Sequence, residues 1–344
     1  MVDVTVRGAG VFGLAVAWAC LTRGASVRVI DPNGVAAGAS GGLVGALAPH
    51  TPERWNDKKE LQFQSLDMAE TFWAGVAEAG GVDPGYARTG RIQPVGSLDL
   101  ATERACAAED LWKGKYRWEI RDARDFAPFT PLTPTGLVIH DTLTARAHPR
   151  KATAALATAL TAKGVEIVAE AAEQGQIVHA TGAAGLLAVS EQIGKPVGAA
   201  IKGQSALLAH DARHAPQIFV DGLHAVPHAD GTVAIGSTTE REFDDPQGCD
   251  GALEDILGRI VRLIPALRGA PVVERWAGLR PRARSRAPML GVWPGRTGEF
   301  IANGGFKIGF GMAPIVGTLM ADLILDGQDR IPDSFRVAAS IPKG

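Results

Sequence analysis

Residues 2–32 have the sequence VDVTVRGAGVFGLAVAWACLTRGASVRVIDP, and this stretch decides the fold. Apolar residues alternate before the glycines, a long apolar run follows them, and the alternation returns at SVRVID. The alternating parts predict two strands, and the run between them predicts a helix over 11–22. A strand–helix–strand unit of this length predicts a parallel sheet with a nucleotide at its first turn.

The glycines between the first strand and the helix have the G-x-G-x-x-G spacing of dinucleotide-binding units. Gly8 permits a tight turn, Gly10 lets a pyrophosphate approach the helix N-terminus, and Gly13 permits close packing of helix on strand. Asp31 ends the second strand, where a carboxylate accepts hydrogen bonds from the ribose hydroxyls. Because that carboxylate disfavours a 2′-phosphate, FAD or NAD is predicted.

Three later stretches carry further signals of nucleotide binding. The small residues of GVAAGASGGLVGALAP (34–49) let a flat or anionic ligand approach the backbone, with a surface linker as the alternative. The strand that ends in HATG (179–182) resembles one that returns beside a bound FAD. A glycine loop at 304–311 leads into a helix predicted over 313–325, whose N-terminus can stabilise negative charge on a reduced flavin. The candidate cofactor residues in these stretches are Ser40, Gly45, Ala46, Thr181, Gly182, Gly305 and Gly309.

Segments of a different kind lie between the nucleotide-binding ones. They contain short alternating runs and turns, including Asp230-Gly231, which is typical of a hairpin. The prediction is an α/β fold in which an antiparallel β-sheet substrate domain is inserted into a Rossmann-like domain. The Rossmann-like domain would comprise 1–85, 141–194 and 276–344, and the substrate domain 86–140 and 195–275.

Composition narrows the function class. A formal net charge of −2 with 21% charged residues argues against nucleic acid as a partner. No secretory signal precedes the first strand and no membrane-spanning run is predicted, so a cytoplasmic protein is expected. The three cysteines are far apart and lack metal-ligand spacing, so no metal is expected. The composition is compatible with a homo-oligomer.

Five motifs together resemble a known family. GAGVFG with Asp31, GASGGLVGALAP, HATG, WAGLRP and GGFKIGF have the order and spacing of the D-amino-acid oxidase superfamily of FAD enzymes. WAGLRP (276–281) looks most like the glycine oxidases of thiamine biosynthesis. GALAP is also similar to the FAD domain of the enzyme that modifies the tRNA wobble uridine, and GGFK to monomeric sarcosine oxidase. The resemblance implies a Rossmann-like FAD-binding domain with FAD as cofactor. Because RARSRAPML has no cysteine where sarcosine oxidase attaches its flavin, it implies non-covalent FAD.

The same resemblance assigns three catalytic-site residues. Arg280 matches the arginine that holds the substrate carboxylate over the flavin, where a planar guanidinium can form two parallel hydrogen bonds. Lys307 matches a second cationic position on the carboxylate, with a solvated loop lysine as the alternative. His224 replaces a tyrosine that reaches the carboxylate, with an ordinary sheet histidine as the alternative. In the pocket, the shorter imidazole implies a substrate bulkier than glycine and activity that titrates near neutral pH.

The stretch AGLRPRARSRAPMLG (277–291) has an arginine at every second position from 280 to 286 and no acidic residue. Arg282, Arg284 and Arg286 depart from the family pattern. They are interpreted either as a solvated positive rim or as a site for a second anionic group on the substrate. Their role stays open at this point.

The activity implied is oxidation of the Cα–N bond of a small or N-substituted amino acid to an imine and then a 2-oxo acid. Dioxygen or another acceptor would reoxidise the flavin. The position of the oxygen-activating lysine of sarcosine oxidase matches Ala234 here, which leaves oxidase and dehydrogenase both open. Two alternatives are an oxidase of the carboxymethylaminomethyl group of tRNA, disfavoured by the charge, and a flavin-carrying subunit of a hetero-oligomeric amine dehydrogenase.

Overall fold

The computed structural model describes residues 2–342. Its helices are α1 (Val11–Thr22), α2 (Asp57–Gly80), α3 (Leu98–Leu111), α4 (Pro149–Ala162), α5 (Gly182–Ile193), α6 (Gly251–Leu263), α7 (Gly309–Asp326) and α8 (Val337–Ser340). Its strands are β1 (Val4–Arg7), β2 (Val27–Ile30), β3 (Ala46–Leu47), β4 (Arg91–Pro94), β5 (Trp118–Asp122), β6 (Leu137–Asp141), β7 (Ala145–Arg146), β8 (Glu166–Val168), β9 (Gln176–His179), β10 (Gly198–Ala209), β11 (Gln217–Val220), β12 (Leu223–Pro227), β13 (Thr232–Gly236), β14 (Val272–Ala283), β15 (Met289–Val292) and β16 (Glu299–Asn303).

The first sheet is built around the opening unit of the sequence. Its order is β15-β16-β9-β1-β2-β8, and β1 lies between β2 and β9, parallel to both. Helix α1 spans the predicted residues 11–22 and packs on this sheet, with Val4 and Val6 of β1 fully buried beneath it. The predicted Rossmann-like arrangement is therefore confirmed.

Two glycines make the close contact between β1 and α1. Gly8 has φ +108°, which favours glycine, and a Cβ on Gly13 would overlap the carbonyl oxygen of Gly8. The helix can therefore lie directly against the end of the strand. This is the packing that the motif predicts.

The second sheet comes from the intervening segments of the chain. Its order is β14-β10-β13-β12-β11-β4-β6-β5, and its pairs are antiparallel except β4 with β11. The predicted hairpin joins β12 to β13 through residues 228–231, with Gly231 at φ +83°. Strand β14 runs from the expected substrate segment into the expected FAD-binding segment, so Arg280 belongs to this second sheet. The two-domain division of the chain stays a prediction.

Helix α7 begins earlier than its sequence indicates. The predicted start at 313 was wrong, because the helix begins at Gly309 and includes Pro314. Tertiary packing outweighs the low helix propensity of these residues. A Cβ on Gly311 would lie 3.4 Å from Leu66 of α2, and one on Gly317 would lie 2.6 Å from the carbonyl oxygen of Ala15 in α1. The glycines thus let α7 approach both helices.

The apolar character of α7 also follows from its packing in the core. This helix, residues 309–326, is long and apolar enough to cross a membrane by length and composition, with a mean hydropathy of 1.4. However, 72% of it is buried inside the protein against α1, α2 and the first sheet. Its composition is that of a core helix. A cytoplasmic location stays a prediction.

The close approach of α7 to α1 predicts opposite effects for the same substitution at two helical glycines. Gly317→Ala is expected to destabilise the protein by about 1–3 kcal/mol, because its Cβ would press on the backbone of Ala15. Gly75→Ala in α2 is the control, since its Cβ would meet nothing within 4 Å. It should stabilise by about 0.5–1 kcal/mol. Thermal unfolding at saturating FAD measures both, and shifts of the same sign would contradict the packing argument.

Candidate active site

The N-termini of α1 and α7 lie side by side. A Cβ on Gly305, in the loop before α7, would lie 2.8 Å from the ring of Phe12 in α1, and one on Gly309 would lie 3.4 Å from Val11. Neither helix has a side-chain cap from its N-cap residue, and neither has an acidic residue in its first turn. The positive ends of both helices therefore favour a nearby anionic ligand.

Predicted cofactor residues from separate loops converge on the start of α1. The Asp31 carboxylate accepts hydrogen bonds from the backbone N–H groups of Ala9, at 2.8 Å, and Asn33, at 3.0 Å. The Ser40 hydroxyl oxygen accepts one from the N–H of Val11 at 2.9 Å. A cleft of about 490 Å³ opens beside the loop that carries Ser40. Two neighbouring helix N-termini, a carboxylate at the end of β2 and a glycine loop are the groups that fit a dinucleotide.

The remaining predicted cofactor residues lie at two further turns of the chain. Gly45 has φ +62°, and Ala46 begins the short strand β3. Thr181 and Gly182 form the turn from β9 into α5. Asn303 was not predicted, although its side-chain amide donates to the Gly182 carbonyl oxygen at 2.9 Å. It ties the HATG turn to the loop before α7, and no sequence signal marked it.

Arg280 projects from β14 and is held by the second sheet. Its Nη1 donates to the Ser237 hydroxyl and its Nη2 to the Thr238 carbonyl oxygen, both at 2.6 Å. The guanidinium lies on the backbone of Gly203, where a Cβ would overlap it. Arg280 is only 8% exposed, and its Nε finds no partner among residues 2–342. Burial lowers its pKa to about 10, which leaves it charged at neutral pH.

A buried polar network lies behind Arg280. Lys202, only 2% exposed, pairs with Asp250 at 3.0 Å and with Glu240 at 3.5 Å. Gln204 donates to Asp250 at 2.8 Å. The charge of Glu240 also opposes the lowering of the Arg280 pKa. Sequence reasoning missed these residues, because an alternating strand pattern does not show which polar side chains turn inward.

Lys307 lies next to Arg280, as the resemblance implies. The Lys307 ammonium is 5.9 Å from the centre of the Phe306 ring, and the Arg280 guanidinium carbon is 5.5 Å from the same point. Lys307 is exposed to water, yet burial and, second, the charge of Arg280 lower its pKa to about 8. Lys307 is therefore an accessible cation beside Arg280.

His224 is half-buried on β12, and its ring centre lies 4.7 Å from that of Phe219. Its Nδ1 is buried without a partner in the described part of the chain. Burial lowers its pKa to about 3, with smaller contributions from Arg91 and Lys307. This low pKa disagrees with the expectation that activity titrates near neutral pH through His224. Its imidazole is neutral at that pH, because two neighbouring cations and desolvation disfavour the imidazolium.

Arg91 is a buried cation that the sequence did not indicate. Its Nε donates to the fully buried Asp141 at 2.8 Å, and its Nη2 donates to the Pro49 carbonyl oxygen at 3.3 Å. The ion pair joins β4 and β6 to the end of the glycine-rich loop. The Asp141 carboxylate balances the charge of Arg91, whereas Lys307 has no ion-pair partner among residues 2–342.

The three further arginines separate into two kinds. Arg284 and Arg286 are exposed, as expected of a solvated rim. Arg282 is half-buried, and its guanidinium carbon lies 5.5 Å from the centre of the Phe306 ring. It therefore stands beside Arg280 and Lys307 rather than on the rim.

The family model for FAD-dependent oxidoreductases of the DAO type matches residues 3–323. The chain belongs to this family. It is 28% identical to glycine oxidase of Pseudomonas putida, with 96% of each chain covered. It is 24% identical to glycine oxidase of Geobacillus kaustophilus, with coverage of 94% and 92%. The fold matches the crystal structure of glycine oxidase from Geobacillus kaustophilus with a TM-score of 0.82, at 21% identity and with 97% and 98% of the chains covered. This DAO-family chain is an FAD-dependent oxidoreductase.

The lowered pKa of Lys307 predicts that the holoenzyme binds simple carboxylates more weakly above about pH 8. Raising the pH removes the Lys307 charge, while Arg280 stays protonated and His224 stays neutral. The dissociation constant of acetate, which has no titrating amine, should rise above this break, because a carboxylate on Arg280 loses the attraction of the neighbouring Lys307 charge. Flavin absorbance measures the binding. Lys307→Met should abolish the break, and a break that persists in this variant would contradict the assignment.

Proposed function

We propose that this DAO-family enzyme oxidises the Cα–N bond of a small or N-substituted amino acid to an imine, which hydrolyses to a 2-oxo acid. The observation that carries the proposal is the buried Arg280, whose Nε–H has no partner among residues 2–342 and whose guanidinium carbon lies 5.5 Å from the centre of the Phe306 ring, in the loop that leads into α7. Two relatives with most of their length matched are named glycine oxidase. That name supports an amino acid substrate.

Arg280 would bind the α-carboxylate and thereby fix the direction of the Cα–H bond. FAD, when bound, supplies the two-electron acceptor. Only the neutral amine has a lone pair that can form the C=N bond as the substrate is oxidised. The positive field of Arg280 and Lys307 favours that form, because it lowers the pKa of a neighbouring ammonium group. The neutral His224 does not add to this field.

Anaerobic mixing of the purified holoenzyme with amino acids and N-methyl amino acids tests the proposal. We expect bleaching of the flavin, with glycine slower than bulkier substrates because His224 leaves more room than tyrosine. Acid should release the FAD, since no cysteine is available at the matching position. A colourless protein, or flavin that no amino acid bleaches, would overturn the proposal. Turnover that appears only with a copurified partner would favour the subunit alternative.

Replacement of Arg280 tests the carboxylate site directly. Arg280→Leu is expected to weaken binding of substrate and simple carboxylates by about 2–5 kcal/mol, since the ligand charge loses its buried partner. Arg284→Leu is the matched control, because Arg284 is exposed and lies on the same strand–turn segment. Kd from flavin absorbance and kcat/KM from the anaerobic assay measure the effect. If acetate inhibits both variants equally, Arg280 does not bind the substrate carboxylate.

A further inference from the structure

Three cations share one aromatic ring at the candidate site. The guanidinium carbons of Arg280 and Arg282 each lie 5.5 Å from the centre of the Phe306 ring, and the Lys307 ammonium lies 5.9 Å from it. Arg280 and Arg282 are two residues apart on β14 and therefore share a face of the strand. We call Arg280, Arg282, Lys307 and Phe306 the Phe306 cluster.

The backbone fixes this arrangement. Phe306 has φ +44°, in the left-handed region, and its N–H donates to the Pro281 carbonyl oxygen at 2.9 Å. Gly305 also forms a bridge with Arg282. Because the loop is hydrogen-bonded to β14 next to the ring, the backbone segments that carry the three cations lie side by side.

The charges of the cluster are not balanced. Arg280 donates hydrogen bonds to Ser237 and Thr238 and lies near the negative charge of Glu240. Within residues 2–342, the side chains of Arg282 and Lys307 have neither a hydrogen bond nor an ion pair. Glu240, the acid near Arg280, is already paired with the buried Lys202.

The other titratable groups nearby do not supply the missing negative charge. The charge of Arg91 is neutralised by Asp141, and His224 is neutral. One substrate carboxylate on Arg280 would therefore leave two cations without a counter-charge. Aromatic faces stabilise such cations only in part.

We propose that the substrate carries a second carboxylate and that Lys307 and Arg282 bind it. The inference rests on the proposed function, in which Arg280 binds the α-carboxylate. Lys307 is exposed, so a ligand can reach its ammonium group. In the alternative arrangement, Lys307 and Arg280 both bind the α-carboxylate. Arg282 then belongs to the solvated rim.

Pairs of substrates that differ only in charge separate these arrangements. In each pair the second carboxylate is replaced by its amide: aspartate and asparagine, glutamate and glutamine, and N-carboxymethylglycine and its monoamide. The anaerobic rate of flavin bleaching in the holoenzyme gives kcat/KM for every compound. We expect the acid to exceed the amide by about tenfold or more in at least one pair, the size of a lost charged hydrogen bond. The pair that responds shows whether the second carboxylate is on the side chain or on the nitrogen.

Substitutions then identify the residues that cause the preference for the acid over the amide. Lys307→Gln and Arg282→Gln should each reduce the acid-to-amide ratio toward one, whereas Arg284→Gln, at an exposed position, should leave the ratio as in the wild type. A ratio at or below one in every pair would overturn the inference. So would a Lys307→Gln variant that slows acids and amides equally, because Lys307 would then act on the α-carboxylate. If no compound of either kind bleaches the flavin, the proposed function itself fails.

Discussion

The candidate site depends on the contact between β14 and the loop that precedes α7. The Phe306 N–H donates to Pro281, and Gly305 bridges to Arg282. Strand β14 is an edge strand of the second sheet, whereas α7 packs on α1 beside the first sheet. These backbone links therefore set the distance between the cations of one sheet and the N-termini of α1 and α7 beside the other. A shift of either element would separate the groups that the proposed function brings together on one substrate.

This contact concentrates positive charge at a considerable energetic cost. Desolvation lowers the pKa of both Arg280 and Lys307, which means that the site disfavours their charged forms. Glu240 offsets the charge of Arg280 in part, but Lys307 has no such partner in the described structure. A protein that keeps unpaired cations close together gives up stability that a bound anion can restore. The arrangement is therefore better explained by ligand binding than by folding.

Much of the site was predictable because several of its motifs are local. Gly8, Gly13 and Asp31 belong to one continuous unit whose spacing has a direct physical meaning, and the structure places them accordingly. Arg280 and Lys307 were found through the resemblance of WAGLRP and GGFK to a family. Lys202 and Asn303 were missed, because each acts through partners distant in the sequence. A single polar residue in an alternating strand does not indicate whether it faces water or a buried partner.

The sequence by itself determined the opening strand–helix–strand unit, the tight turn at its glycines and the hairpin at Asp230-Gly231, because each follows from backbone preferences over a few residues. Tertiary structure decided where α7 begins, since its glycines and Pro314 are helical only through packing on α1 and α2. It also decided the ionisation of His224 and Lys307, which belong to different elements. Their pKa values depend on burial and on the charges of Arg91 and Arg280. Those neighbours come together only when both sheets have formed.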